Sequence, residues 1–458
     1  MSKNSLEALL QKTTPVQLLR NSSLGAHVYP GVQAEYTSWR DEQWAWQNTC
    51  VLFNQSYHMT DMYIDGPDAL KLLSDLGVNS FKNFGPNKAK QYVPCSPEGY
   101  VIGDVILFGL EDGRYNLVGR PSVHNWVQFN CETGGYKATC VRDERAASQK
   151  GPVVRQAYRF QVQGPNALKV IQKVVEGTVP DLKFFQMTSL MIAGKKVSAL
   201  RHGMAGQPGF ELFGPWSEGE EIKAAIVAAG KEFGLRLVGG RAYSSNTLES
   251  GWIPSPLPAI YTSPGMKAYR EWLPDTAWEA TASLGGSFYS ENIEDYYVTP
   301  YDLGYGYVVK FDHDFVGREA LEKIAQGPKR TKVTLELNTD DVMKAMATMF
   351  EKAGNRAKYF EFPSAVYSTW PHDKVTRNGK TIGLSTWVGY SSNEGKMLTL
   401  AMLDEHDAQI GSEVTMTWGE QPGTGSKPTV EPHVQVEIRA TVCPVPYAQV
   451  ARQEYRPL

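Results

Sequence analysis

The chain has 458 residues, of which 42% are hydrophobic and 21% charged, and its formal net charge is −3. This length exceeds what one ordinary hydrophobic core serves, so we expect two or three domains, and the absence of a basic surplus gives little reason to expect a nucleic-acid partner. No apolar run reaches 18 residues and the first 20 residues lack a signal-peptide pattern, so we expect no membrane partner and a cytoplasmic location.

Cysteine and histidine usage argues against several site classes. The five cysteines include no CxxC pair and are expected to be reduced thiols. The eight histidines show neither HxH nor HExxH spacing, so we expect no metal site. The sequence contains no GxxxxGK[ST] and no GxGxxG after a predicted strand, which removes support for phosphate-loop and Rossmann chemistry. The oligomeric state is left open by the sequence.

An internal repeat predicts the scaffold. Asp61–Leu73 (DMYIDGPDALKLL) and Arg159–Ile171 (RFQVQGPNALKVI) each predict a strand, a Gly-Pro turn and an amphipathic helix. Asp68 and Asn166 are expected to cap these helices. A looser copy follows at Phe315–Ile324. The duplication predicts a two-lobed α+β body with pseudo-symmetry, in which the repeated units are scaffold.

Two hairpins follow the copies of the repeat. Their predicted strands are Asp104–Phe108 with Tyr115–Val118, and Leu190–Ile192 with Lys196–Leu200. A loop rich in glycine and proline then spans residues 202–209 and leads into a predicted strand at Phe210–Phe213.

The next segment predicts a helix and the last part of the chain predicts strands. Glu218–Phe233 is amphipathic, with Ser217 placed to cap its start and Gly234 to close it. From about residue 330 the chain is β-rich and predicts a small antiparallel barrel or sandwich. The predicted strands there are Lys332–Leu337, Leu398–Leu403, Glu413–Trp418 and Val434–Val442. Residues 260–300 predict a long ordered covering loop.

The segment Gly239–Pro258 (GGRAYSSNTLESGWIPSPLP) combines polar and aromatic residues with glycine and proline constraints. Such a pattern suits a buried ligand, but it also suits an ordinary helix packed under a proline-rich strap. Tyr243 has no basic neighbour in sequence closer than Arg241, which is typical of a phenol that stays protonated at neutral pH. The segment alone leaves both interpretations open.

The order of these motifs resembles the glycine-cleavage T-protein (aminomethyltransferase) family over roughly residues 30–450. The resemblance rests on the GPxAxxxL repeats, the glycine-rich loop with Gly-Phe-Glu, GGRAY…LESG, and LGYG…VKF…DFVGREAL. It implies an α+β, three-domain fold around a tetrahydrofolate channel. The implied domains are two pseudo-repeated lobes, residues 1–150 and 151–329, and a C-terminal β-barrel, residues 330–458.

Further stretches resemble the bacterial tetrahydrofolate-dependent aromatic O-demethylases within that family. They include NSSLGAHVYPGV, WRDEQWAWQN, TLESGWIPSPLPAIYT and IEDYYVTPY. The resemblance implies a methyltransferase that moves the methyl group of a lignin-derived methoxybenzoate to N5 of tetrahydrofolate. Syringate is the preferred substrate hypothesis, with vanillate and 3-O-methylgallate as the others.

One motif departs from the wider family. T-proteins carry Gly-Gly-x-x-Asp-Asp, whereas the matching segment here, Gly99 to Asp104, has a single acid. Aminomethyl transfer, which needs the missing carboxylate, is therefore disfavoured. An aminomethyltransferase, a sulfonium methyltransferase and a non-catalytic folate-binding protein remain the alternatives.

The resemblance implies four residues at the substrate. Tyr243 would donate a proton or hydrogen bond to the ether oxygen. Arg120 would bind the benzoate carboxylate through paired hydrogen bonds. His58 would contact the 4-hydroxyl group, and Tyr29 would also contact substrate. The structural alternatives are a core tyrosine, a surface ion pair and a satisfied core histidine.

The resemblance implies a second set of residues at the folate. Glu211 would accept hydrogen bonds from the pterin 2-amino and N3 groups, because a carboxylate presents two acceptors to that donor pair. Trp252 would form an apolar wall. Gln55 and Gln161 are weaker candidates for polar contacts, and a purely structural role stays open for both.

Overall fold

The structure is a computed structural model that describes residues 4–26, 29–254, 256–352, 354–425 and 427–455. In chain order, the strands β1 to β19 are Cys50–Asn54, Thr60–Asp65, Lys88–Tyr92, Val105–Gly109, Tyr115–Gly119, Thr139–Asp143, Ala157–Gln163, Met187–Ile192, Lys195–Arg201, Gly209–Pro215, Leu235–Leu237, Leu284–Gly285, Arg330–Leu337, Trp370–Pro371, Asp373–Arg377, Lys380–Ser391, Lys396–Asp404, Glu413–Trp418 and Val436–Cys443. The helices α1 to α13 are Leu6–Leu10, Pro15–Arg20, Trp39–Asn48, Ala69–Leu76, Pro121–Thr133, Ala167–Val174, Gly219–Gly230, Gly240–Tyr243, Asn246–Ser250, Lys267–Trp272, Trp278–Thr281, Arg318–Ile324 and Thr339–Ala347.

Two sheets and a closed barrel organise the molecule. One sheet has five strands in the order β3-β4-β5-β2-β6, and the other has six in the order β11-β1-β7-β10-β9-β8. The barrel closes as β13-β17-β16-β15-β18-β19. The predicted α+β class with a C-terminal barrel is confirmed, and both predicted hairpins form, as β4 with β5 and β8 with β9.

The two copies of the repeat build equivalent parts of the two sheets. The first forms β2 and α4, and the second forms β7 and α6. Their turn glycines, Gly66 and Gly164, have φ of 121° and 124°, and an added Cβ would lie 2.5 Å from the Lys137 carbonyl oxygen or 2.7 Å from that of Thr49. Both turns therefore need glycine for backbone conformation and for close approach to the neighbouring segment.

Asp68 and Asn166 occupy the predicted N-cap positions of α4 and α6, whereas the predicted Ser217 cap is wrong. Neither Asp68 nor Asn166 makes a side-chain capping bond. Asp68 instead accepts from the backbone N–H of Lys137, and Asn166 donates to the Phe233 carbonyl, so each ties its turn to another segment. Ser217 lies inside a short 3₁₀ turn that precedes α7, and Gly219 begins the α-helix.

Gly234 closes the α7 region as predicted, with φ of 74° in the left-handed region.

Residues 260–300 are ordered and contribute to a core. Short helices α10 and α11 lie within this stretch, and Tyr269, Leu273 and Tyr296 are buried in one cluster with the five-stranded sheet. Trp272 and Tyr297 pack in or against the same cluster.

The domain boundaries at residues 150 and 330 stay a prediction. The barrel strands begin at Arg330, whereas β1, from the first 150 residues, pairs with β7 in the six-stranded sheet. Within the described residues, no helix is long and apolar enough to cross a membrane.

Candidate functional site

A central cavity of about 650 Å³ lies where the two sheets, α9 and the barrel meet. Its volume is in the usual range for sites that bind small molecules and cofactors. The predicted residues that line it are Tyr29, Gln55, His58, Arg120, Glu211, Tyr243 and Trp252. Gln161 does not line the cavity but hydrogen-bonds to residues that do.

Tyr243 is held by a short helix with fixed ends. Helix α8 begins after Gly239, whose N–H donates to a Glu42 side-chain oxygen at 2.8 Å. A Cβ on Gly239 would lie 2.3 Å from the Ala34 carbonyl oxygen, so only glycine fits this approach. At the other end, the Asn246 side chain donates to the Tyr243 carbonyl. These contacts fix the backbone of α8 and thereby the position of the Tyr243 phenol.

Three aromatic rings meet at this end of the cavity. The hydroxyl oxygen of Tyr243 lies 3.1 Å from His58 Nε2, and its ring centroid is 4.3 Å from that of Tyr29. Burial raises the pKa of Tyr243 well above 10 and that of Tyr29 to about 12. Both phenols are therefore neutral at physiological pH and can donate hydrogen bonds.

His58 is also neutral in this environment. Burial, together with the positive charges of Arg120, Arg155 and Arg145, lowers its pKa from 6.5 to about 3. Its Nδ1 atom is buried without a hydrogen-bond partner among the described residues. One imidazole nitrogen thus faces Tyr243 while the other has hydrogen-bonding capacity for a ligand.

Arg120 enters the cavity from the end of β5. It lies between that strand and helix α5, with extended backbone, φ −86° and ψ 154°. Its guanidinium carbon lies 5.7 Å from the centroid of the Trp278 ring. Burial lowers the pKa of Arg120 to about 9, against the attraction of Tyr29. The side chain therefore supplies a desolvated positive charge that suits an anionic ligand.

Glu211 lies in a buried network of charges on the six-stranded sheet. Its Oε1 accepts from Arg159 Nη1 at 2.6 Å, and its Oε2 lies 3.5 Å from His202 Nδ1. The same Arg159 bonds Asp61 at 2.9 Å. Burial opposes ionisation of Glu211, but Arg159 and His202 lower its pKa overall. Glu211 is therefore an ionised acceptor at neutral pH.

The two predicted glutamines connect Glu211 with the aromatic rings. Gln161 lies opposite Glu211 on the neighbouring strand, and its Nε2 is 3.2 Å from His202 Nδ1. Gln55 Nε2 contacts Gln161 Oε1 at 3.4 Å and Met204 Sδ at 2.9 Å. Gln55 Oε1 is buried without a partner in the part of the chain that is described. Gln55 thus lines the cavity, whereas Gln161 lies outside the lining and hydrogen-bonds to Gln55 and His202.

Trp252 is more than an apolar wall. Its indole N–H donates to Asp104 Oδ2 at 2.9 Å, and the Tyr305 hydroxyl donates to the same oxygen at 2.8 Å. Burial raises the pKa of Asp104, partly offset by the hydrogen bonds from Trp252, Tyr305 and Gln91. Asp104, the single acid of the segment Gly99 to Asp104, therefore accepts three hydrogen bonds on its Oδ2 atom.

A model for the GCVT N-terminal domain matches residues 22–255, just over half of the chain. Syringate O-demethylase from Sphingobium sp. is 56% identical over 99% of this chain and 98% of that protein. The chain belongs to the GCVT family. Sesamin methylene transferase from Sinomonas sp. is 29% identical, over 85% of this chain and 84% of its own length.

A solved structure has the GCVT fold of this chain. The glycine cleavage system aminomethyltransferase T from Bartonella henselae aligns with a TM-score of 0.61 and 16% identity, over 96% of each chain. At that identity the likeness describes the fold alone. It agrees with the predicted T-protein-like architecture of two α+β lobes and a barrel.

Several residues that line the cavity of this GCVT protein were missed by sequence reasoning. They are Arg145, His202, Met204, Asn246 and Lys332. His202 and Met204 lie in the glycine-rich loop that precedes β10, so the loop itself was the available signal. Arg145 lies in a polar stretch without a motif, and its position depends on tertiary packing alone.

Among the described residues, no group of three or more His, Cys, Asp or Glu could hold a metal ion.

Proposed function

We propose that this chain is a tetrahydrofolate-dependent O-demethylase that moves the methyl group of a methoxybenzoate to N5 of tetrahydrofolate. The observation that carries the proposal is 56% identity, over 99% of the chain, to a protein named syringate O-demethylase. Syringate is the preferred substrate. Vanillate and 3-O-methylgallate differ from it at one ring position, so the space beside that position decides among the three.

The cavity suits a reduced pterin together with an aromatic acid. Glu211 is an ionised acceptor placed on β10, where it can take hydrogen bonds from pterin N–H donors. Gln55, Asp104 and Asn246 line the cavity, and each has one side-chain oxygen that is buried without a hydrogen-bond partner within the described ranges. Buried acceptors of this kind are costly unless a ligand donates to them. The site is therefore prepared for a ligand rich in N–H groups.

Tyr243 can assist the departure of the leaving group in this reaction. When the methyl–oxygen bond of an aryl methyl ether breaks, the leaving group is a phenoxide. A phenoxide leaves poorly unless its oxygen receives a proton or a strong hydrogen bond. Tetrahydrofolate, when bound, supplies the nitrogen that accepts the methyl group. Tyr243 is neutral and buried, so its hydroxyl can donate to the departing oxygen, a contribution of about 10²–10⁴-fold for a positioned general acid.

Arg120 and His58 orient the aromatic ring for that donation. Arg120 supplies a buried cation for the carboxylate, while His58 lies beside Tyr243 at 3.1 Å. When the Tyr243 hydroxyl donates to the ether oxygen, its oxygen accepts from His58 Nε2–H, and Nδ1 is then an acceptor for the ring hydroxyl. Tyr29 packs against both rings and fixes their positions. Such orientation supplies much of the remaining acceleration.

The experiment that tests the proposal is incubation of the purified protein with tetrahydrofolate and each of the three methoxybenzoates. We expect 5-methyltetrahydrofolate and a demethylated phenol in equal amounts, with syringate turned over fastest. Demethylation that proceeds without tetrahydrofolate would contradict the proposal.

Two alternatives are separated by further assays. An aminomethyltransferase would act on an aminomethyl-lipoyl carrier protein. A non-catalytic folate-binding protein would bind tetrahydrofolate without turning over any methoxybenzoate. We further propose a cytoplasmic location, which the free thiols of all five cysteines support because reduced cysteines are typical of that compartment.

A further inference from the structure

Arg145 is one of four arginines that line the central cavity, with Arg120, Arg330 and Arg452. Its guanidinium carbon lies 4.6 Å from the centroid of the Trp278 ring, the same ring that Arg120 approaches at 5.7 Å. Both arginines line the cavity, and Trp278 is 9% exposed. One buried aromatic ring therefore contacts two cationic side chains that come from different parts of the chain.

The segment that carries Arg145 is fixed against the His58 turn. The backbone N–H of Ala146 donates to the Tyr57 carbonyl at 2.8 Å, next to His58. The acidic neighbour of Arg145 in sequence, Glu144, forms an ion pair with Arg142 at 2.6 Å. Among the described residues, no carboxylate lies within ion-pair distance of Arg145, which donates from Nε to Ser148 at 3.2 Å.

The charges of the two arginines oppose one another inside the cavity. Burial and the Arg145 charge lower the pKa of Arg120, and both arginines, with burial, lower the pKa of His58. Two like charges in a desolvated site are unfavourable until an anion binds. The cavity is thus arranged so that a negatively charged ligand relieves the repulsion.

We propose that Arg145 is a second ligand for the substrate carboxylate and that, with Arg120, it restricts the enzyme to anionic aryl ethers. The proposal rests on the proposed O-demethylase function. Two guanidinium groups can each donate to one carboxylate, and neither gains a charged partner from a neutral analogue. Arg120 and Arg145 together then determine how much more tightly the enzyme binds an acid than its neutral counterpart.

The test compares syringate with its neutral amide, syringamide, in the wild type and in Arg145→Ala and Arg145→Lys. Calorimetry measures the binding of both ligands, and turnover with tetrahydrofolate gives KM and kcat. Arg114→Ala, which removes an exposed arginine from the β4–β5 turn, is the matched control. We expect Arg145→Ala to weaken syringate binding and raise its KM about 10-fold or more, with kcat and the affinity for syringamide changed little.

Arg145→Lys should recover part of the syringate affinity, because it restores the charge without the planar fork. Equal effects of Arg145→Ala on syringate and syringamide, or no effect on either, would overturn the proposal. Absence of syringate binding to the wild type would overturn it too. If the wild type binds syringate but does not demethylate it, the proposed function fails, while the calorimetric comparison still decides the role of Arg145.

Discussion

At the scale of single residues, the chemistry of Tyr243 depends on burial. The residue is 4% exposed, and burial and Tyr29 raise its pKa well above 10, so its hydroxyl is neutral and can donate a hydrogen bond across the physiological range. The same burial makes His58 neutral, with a pKa of about 3. Two groups that exchange protons readily in water are therefore fixed in their neutral forms as hydrogen-bonding partners.

We predict that Tyr243→Phe binds both ligands but loses turnover. Phenylalanine keeps the ring contacts with Tyr29 and Phe53 and removes only the hydroxyl. The rate of the single turnover should fall by about 10²–10⁴-fold. Calorimetry of tetrahydrofolate and syringate should show affinities close to those of the wild type. A variant with an unchanged rate would remove Tyr243 from the mechanism.

The pKa of Arg120 predicts an alkaline limit to activity. Burial lowers this pKa to about 9, with Arg145 acting in the same direction and Tyr29, Asp104 and Tyr243 opposing it. Below pH 9 the guanidinium is charged and, as we propose, binds the carboxylate, and above pH 9 the charge is lost in the free enzyme. We therefore expect kcat/KM for syringate to fall as pH rises through about 9.

The acid side of the same profile should be flat. His58, with a pKa of about 3, stays neutral from pH 5 upward, so no decline centred near 6.5 is expected. Tyr29, with a pKa of about 12, stays protonated through the alkaline fall. A decline with a midpoint near 6.5 that disappears in His58→Gln would show that His58 titrates like an exposed histidine and would contradict this prediction.

The site residues that could be predicted were those in short, distinctive motifs. Tyr243, Glu211 and His58 each lie in such a stretch, and each lines the cavity. Arg145 could not be predicted, because only packing against the Tyr57 turn brings it to Trp278. The roles of all predicted residues stay proposals until substitutions test them.

At the scale of elements, the start of α8 positions Tyr243. Gly239 has an ordinary negative φ of −81°. Glycine is therefore required at this position because no space exists for a side chain, and not because of backbone strain. An added Cβ would lie 2.3 Å from the Ala34 oxygen and 2.6 Å from the Glu35 Cα, both backbone atoms that cannot rotate away. The helix must move to accept any side chain there.

We predict that Gly239→Ala lowers both stability and turnover. Overpacking of this kind costs about 1–3 kcal/mol, and the shift of α8 moves the Tyr243 hydroxyl away from His58. Urea unfolding and steady-state kinetics measure the two effects. Gly85→Ala is the matched control, because a Cβ there meets no atom within 4 Å. Equal behaviour of the two variants would contradict the packing argument.

Elements whose sequence pattern is local could be predicted, whereas elements that depend on distant contacts could not. The repeat turns were predictable because Gly66 and Gly164 recur with the same flanking pattern. The side-chain bonds of Asp68 and Asn166 and the start of α7 were not, because both side chains bond distant backbone and Ser217 lies in an added 3₁₀ turn. The longest barrel strand, β16, was missed: it is buried on both faces and bulged between Ser385 and Trp387, so it lacks period-2 alternation.

At the scale of the whole molecule, a buried ionic network joins the two sheets beside the cavity. Asp61 lies on β2 of the five-stranded sheet, and Arg159 and Glu211 lie on β7 and β10 of the six-stranded sheet. Arg159 bonds both acids, at 2.9 Å and 2.6 Å, and its side chain is 3% exposed. Arg159, which fixes Glu211 at the cavity, is therefore also a link between the two sheets.

We predict that Arg159→Met destabilises the protein by about 3–5 kcal/mol, because it leaves the buried Glu211 carboxylate without its arginine and Asp61 with Arg155 alone. Urea unfolding at neutral pH measures this loss. Arg114→Met is the control, since the Arg114–Asp112 pair is solvent-exposed and such pairs contribute about 0–1 kcal/mol. A loss no larger than that of the control would show that the network is dispensable.

The most direct test of the account follows the methyl carbon itself. Syringate carrying ¹³C in its methoxy groups is incubated with the enzyme and tetrahydrofolate, and the products are read by NMR. We predict that the label appears as the N5-methyl group of 5-methyltetrahydrofolate, one for each methyl group lost. Label recovered as formaldehyde or methanol, or released when tetrahydrofolate is left out, would contradict it.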